Sequence, residues 1–217
     1  MEKRIWDSKK SLVQWLALSG VIGTAAYFLH VVVGKMNYPG YSSLAQAISD
    51  LTAADSPSRE IASAFSTIYG LFTVTAMTLL CVFFQNRVNK VFRMGIYLFA
   101  IMQWVTAVGY TLFSLSTSGY AGMFQDVMHV VVTVAVVLLS IASMILLAVG
   151  AIKSGAHKLF GIFTIAALVI MAAGSIGTGA APIEYFGVAE RVSVYSVVVY
   201  SGFLPVFAFC FSANTNE

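Results

Sequence analysis

A chain of 217 residues in which 59% are hydrophobic and only 10% charged carries far less charge than the roughly 25% of a soluble domain. Too little polar surface remains to cover a water-exposed globule, so the composition describes an integral membrane protein. The net charge of +3 is scattered between apolar runs and forms no basic patch for nucleic acid; Cys81 and Cys210, far apart in the chain, read as free thiols and not as a disulfide framework or metal knuckle.

The chain opens with Lys3, Arg4, Lys9 and Lys10 ahead of an apolar run over 12–33. That run exceeds the roughly 7–15 apolar residues of a secretory signal and is expected to be a retained first span. A transmembrane helix needs about 20 apolar residues to cross roughly 30 Å. Five further runs meet that length, at 61–84, 95–115, 127–152, 159–178 and 192–211. The expectation is one all-α transmembrane domain over 1–217, a six-helix bundle. Lys3, Arg4, Lys9, Lys10, Arg87, Lys90, Arg93, Lys153 and Lys158 fall on one side of these spans, and Lys35, Arg59 and Arg191 on the other. The positive-inside rule then puts both termini in the cytoplasm of a multi-pass protein of a prokaryotic cell membrane. Asp50, Asp55, Glu60, Asp126, Glu184 and Glu190 sort to the outer side.

The longest polar interruption, 35–60, joins the first two spans. Pro39-Gly40 signals a turn. Ser43 followed by Gln46 has the form of a capping box, and Leu44, Ile48 and Leu51 recur at helical spacing. A short amphipathic helix over 43–53 is expected to lie on the membrane surface or to roof the bundle mouth, with Asp50 on its polar side. Ser56 and Pro57 have the residue types of a helix N-cap and first position for the second span.

Within the spans, small and polar residues line up on faces. Gly23, Tyr27, His30 and Gly34 share one stripe; Ala62, Ser66, Tyr69, Gly70 and Thr73 another; Gln103, Thr106, Tyr110 and Ser114 a third. Asp126, His129, Thr133 and Ser140 follow the same period in the fourth span, and Glu190, Ser193, Val197 and Tyr200 in the sixth. Such stripes face a bundle interior, where small residues allow close packing and polar ones find partners. Gly174, Gly177 and Gly179 allow close backbone approach near the end of the fifth.

The loop NYPGYSSLAQAISDLTAADSP, the Asp126–His129 pair opening the fourth span and the closing stretch GVAERVSVYSVVVYSGFLPVFAF resemble the bacterial and archaeal family called domain of unknown function 998. The resemblance covers nearly the whole chain and implies six membrane spans. It brings no established activity and no catalytic residue.

His30, Asp50, Asp126, His129, Glu190 and Arg191 all fall near the outer ends of their elements, and ionisable groups in a span usually serve a cavity or a pairing. Four readings of this cluster follow. In the first, Asp126 orients His129 and Arg191 pairs with Glu190 or Asp50, stitching helix ends together. In the second, the cluster is the polar end of a chamber open to the outer leaflet that takes a lipid or other small amphiphile, with Arg191 on an anionic headgroup. The third is a metal-assisted hydrolase with His30, His129 and Asp126 as zinc ligands, although no motif of fixed local spacing supports it. The fourth, a bis-histidine haem on His30 and His129, is not expected because no second histidine pair accompanies it. Ser42, Ser43 and Ser49 lie near Asp50 but in no nucleophile elbow. Membrane lipids are the expected partners. His157 reads as a solvated loop histidine, and the basic loops are expected to set topology and bind anionic lipid only weakly.

Overall fold

The computed structural model describes residues 9–211 apart from residue 156; Lys3 and Arg4 lie outside the described residues. Six helices are long and apolar enough to cross a membrane. The first is α1 (Leu12–Ala17) continued, after a one-residue break at Leu18, by α2 (Ser19–Met36). Then follow α3 (Arg59–Phe83), α4 (Lys90–Leu112), α5 (Phe124–Lys153), α6 (Lys158–Ala180) and α7 (Phe186–Cys210). Each span packs on its neighbours in the chain, and α7 returns against α2, so the helices close into a ring. Large apolar side chains face outward all round it, among them Val131, Val134, Leu138, Ile145 and Ile162. In water such a surface would drive association; in a bilayer it is the lipid-facing side.

Local chemistry sets the helix starts. At α1 the Ser11 hydroxyl accepts from Gln14 N–H while Gln14 Oε1 accepts from Ser11 N–H, a reciprocal capping box. The buried Gln14 amide also donates to the Ala208 carbonyl at 2.9 Å, tying α1 to the end of α7. Asn89 caps α4 by accepting from Phe92 N–H. The second span departs from expectation: α3 starts at Arg59, with Ser58 as the flanking residue. The Ser56 and Ser58 hydroxyls both donate to the Leu51 carbonyl, so these serines anchor the preceding loop and Pro57 lies ahead of the helix.

The two ends of the bundle differ in kind. The end carrying Arg87, Lys90, Arg93, Lys153 and Lys158 rests on a dry aromatic core of Phe83, Phe84, Phe92, Phe99, Phe160 and Phe211. Phe160 and Phe207 meet there with ring centroids 4.1 Å apart. The opposite end holds smaller clusters built on Tyr27, Tyr41 and Tyr69, and there the acidic residues gather.

α6 and α7 approach closely at Gly174, where a Cβ would collide with Ser193 N and lie 2.8 Å from the Ala189 carbonyl oxygen. Both obstacles are backbone and cannot rotate away. Gly174→Leu is therefore expected to destabilise the protein by about 3 kcal/mol, seen as a lowered unfolding midpoint in detergent. Gly179→Leu, whose Cβ meets nothing within 4 Å, should leave that midpoint unchanged.

Candidate functional site at the acidic end

The long loop between α2 and α3 is docked onto the first two turns of α7. A helix start leaves main-chain N–H groups without intrahelical partners, and Val188 N–H donates to the Leu44 carbonyl at 3.2 Å. Gly187 permits this approach, since a Cβ there would stand 2.5 Å from the Gln46 carbonyl oxygen and 2.8 Å from that of Ser43. Glu190 Oε2 accepts from Ile48 N–H at 2.7 Å. Arg191 donates to the carbonyls of Gln46 and Gly187 and to the Tyr41 hydroxyl. That hydroxyl in turn donates to the Ala47 carbonyl at 2.6 Å. Burial pushes the Tyr41 hydroxyl up to about 12 against the pull of the Arg191 cation, so it stays protonated and can serve both partners.

The expected amphipathic helix over 43–53 is only a 3-10 turn, Ile48–Thr52. Ser42, not Ser43, organises the turn before it: Gln46 Oε1 accepts from Ser42 N–H at 2.7 Å. Ile48 and Leu51 are buried and Leu44 is exposed, so the segment plugs a seam between α2, α3 and α7 instead of lying on a membrane surface.

Two carboxylates hold this loop to the α4–α5 connection. Asp50, 3% exposed, accepts from Ala47 N–H and, across the gap, from Gly119 N–H at 3.0 Å. Its desolvation raises the carboxyl above the ordinary value, with those two N–H groups pulling the other way. Asp55 accepts from the N–H and hydroxyl of Ser118. Asp126, fully buried, accepts from Ser116 N–H and hydroxyl, Ala121 N–H and Met123 N–H. Its contact to Met123 is the returning half of a capping box at the start of α5; the other three fold residues 116–121 around it. Left-handed φ angles at Gly119, Tyr120 and Gly122 let the connection curl onto these oxygens.

The pairings expected from sequence are thus replaced by others. Asp126 orients the loop and not His129, and Arg191 bonds neutral oxygens and neither Glu190 nor Asp50. His129 sends its Nδ1–H to the Phe113 carbonyl at 2.8 Å, closing the end of α4. His30, 3% exposed, does the same to the Ala62 carbonyl at 2.9 Å, joining α2 to α3. A carbonyl only accepts, which assigns the proton to Nδ1 in both rings. Among the described residues no three of His, Cys, Asp and Glu come together as a metal-binding group.

Beneath this cap lies a group of aromatic hydroxyls. Tyr27 packs on His30, ring centroids 5.5 Å apart, and on Tyr69 at 4.9 Å; Tyr110 packs on His129 at 4.8 Å. Tyr27 also lies within electrostatic range of Glu190, Tyr110 and Tyr195, so α2, α3, α4 and α7 each contribute a polar side chain. Deeper still is Gln103, nine residues inside the Leu112 end of α4, roughly 14 Å along the helix. Gln103 is 1% exposed, and neither its Oε1 nor its Nε2 has a hydrogen-bond partner. Tyr69 lies within interaction range of both Gln103 and Ser201, but neither Tyr69 nor Ser201 meets the amide with hydrogen-bond geometry.

Sequence reasoning placed Gln103 on an interior face with Thr106 and Tyr110 yet gave it no role. Asp55 was placed on the outer side without a partner, and Tyr41, Ser116 and Gly119 were given no role; the Ser- and Gly-rich composition of 114–122 is the signal for a turn that could have pointed to the last two.

A family model described as a protein of unknown function (DUF998) matches residues 21–206. No curated protein and no solved structure matches the chain.

Asp126→Asn places an NH2 group against main-chain donors and leaves buried N–H groups unpaired. It is expected to lower stability by about 2–3 kcal/mol, read as a fall in unfolding midpoint in detergent. Exchange of the Ala121 and Met123 amide protons should rise in parallel.

Proposed function

The chain belongs to the DUF998 family of proteins of unknown function and is a multi-pass membrane protein; from that premise we propose that it binds the polar end of a small amphiphile within the acidic half of its bundle. The observation that carries this reading is the unpartnered Gln103 amide. A buried amide without partners costs about 1–3 kcal/mol, and the surrounding lipid offers it none at membrane depth. A ligand hydroxyl or amide would supply both a donor and an acceptor to that one side chain. The tyrosine rings above it suit the rest of such a molecule, since small-molecule sites are mostly apolar with a few convergent polar groups. Glu190 Oε2 is held by Ile48 N–H, while Oε1 has no partner among the described residues and could meet a donor on the ligand.

Asp50, Asp126, His30, His129 and Arg191 support this site from outside it: they hold the cap and the helix ends that enclose it. An architectural role alone accounts for those five residues but leaves the Gln103 amide without a reason. We place the basic end in the cytoplasm and the capped end toward the outer leaflet of the cell membrane, on the distribution of Lys and Arg.

Native mass spectrometry of the protein purified with its own membrane lipids tests this reading. Wild type is expected to retain a small amphiphile that Gln103→Leu loses, while the unfolding midpoint of the variant stays level or rises, because an apolar side chain of similar size removes the unpaired amide. No retained molecule in wild type, or equal retention in Gln103→Leu, would overturn it.

A further inference from the structure

At the opposite end, the α3–α4 turn, the start of α4, the end of α5 and His157 border an open groove of about 560 Å³, on which the Arg87 and Lys153 side chains are exposed. Arg87, Lys153 and His157 line it with Asn86 and Asn89, over a floor that includes Phe92, and no carboxylate is among the lining residues. The walls are pinned to each other. Asn89 bridges them, its Oδ1 accepting from Phe92 N–H and its Nδ2 donating to the Gly150 carbonyl at 2.7 Å. Asn86, in left-handed backbone conformation, accepts from Arg93 at 3.3 Å. His157, expected to be a solvated loop residue, instead packs on Phe207 and Phe211, ring centroids 5.5 and 5.0 Å away. Burial lowers its imidazole below the ordinary value, which leaves Arg87 and Lys153 as the permanent cations of the groove.

Those cations have no anion to meet within the described residues. The Arg87 guanidinium lies 4.7 Å over the Phe83 ring, which fixes its plane without using any N–H donor. Lys153 ends α5, and its ammonium has no hydrogen-bond partner among the described residues. The main-chain N–H groups of Lys90 and Val91, in the first turn of α4, are likewise without acceptors, because the Asn89 side chain satisfies Phe92 alone. A guanidinium, an ammonium and the positive end of a helix that border one groove form a donor set that suits a tetrahedral oxyanion.

We propose that this groove binds a phosphate group. The membrane supplies one source, the headgroup of an anionic phospholipid, for which basic pockets between spans at the positive side of a bundle are suited. The exposed apolar side chains of Val149 and Ile152 on α5 and Leu159 on α6 lie one or two residues along the chain from the lining residues Gly150, Lys153 and His157 and would run beside the acyl chains. A soluble phosphate ester is the other source. A volume of this size exceeds a bare phosphate and leaves room for the group that carries it.

The test uses the full chain in nanodiscs. Native mass spectrometry compares phosphatidylglycerol with zwitterionic phosphatidylcholine, and thermal shift is read in parallel with glycerol phosphate and inorganic phosphate in phosphatidylcholine discs. Selective retention of phosphatidylglycerol, reduced at least roughly tenfold in the Arg87→Gln/Lys153→Gln double variant, upholds the proposal with a lipid as source. A thermal shift with the soluble phosphates, lost in the same variant, upholds it with a soluble source. Arg87→Lys/Lys153→Arg, which keeps the charges, should bind more than the neutral pair. Lys35→Gln, a cation at the other end, should bind as wild type. Absence of both signals in wild type, or equal binding by the neutral variant, overturns it.

Discussion

Every polar group carried into hydrocarbon must find a partner inside the protein, because the surrounding lipid offers none. That constraint arranges the acidic end of this bundle. Asp126 gathers four donors, Asp50 two, and Arg191 reaches three neutral oxygens. His129 closes the end of α4 and His30 ties α2 to α3, each through Nδ1. The loops are therefore not draped over the helices; they are the acceptors and donors that the helix termini lack.

This arrangement also explains why the two halves of the molecule can do different things. The basic half is filled by interlocking phenyl rings, and its polar groups gather at the helix ends and turns. The acidic half packs with tyrosines, whose hydroxyls need partners, and it is there that one amide, on Gln103, goes without. Among the buried side-chain atoms of the described residues, those of the Gln103 amide lack a partner, and a buried group left unsatisfied points to a molecule that completes it.

The helices were legible in the sequence because their signal is local: a long apolar run can only be a span, and the basic residues mark one set of ends. The interior stripes were legible for the same reason. Partner choice was not. Ser43 and Ser56 had the right residue types for caps, but Ser42 and Ser58 hold the corresponding positions, since the loop is pulled into place by α7 and by the Leu51 carbonyl. Asp126 and His129 sit three residues apart on one face, a spacing that allows contact; a curled loop with three left-handed residues competed for the carboxylate and took it. Arg191 next to Glu190 suggested an ion pair, whereas adjacent residues on a helix do not face each other. The basic groove was invisible for a similar reason, as Arg87 lies in the α3–α4 turn and Lys153 at the end of α5, far apart in the chain.

The account stands most directly on what surrounds Gln103. A cryo-electron microscopy map of the protein in native lipid, at a resolution that shows side-chain amides, is expected to contain elongated density whose end lies within hydrogen-bond distance of the Gln103 amide. An amide bonded directly to Tyr69 or Ser201, or surrounded by solvent alone, would contradict it.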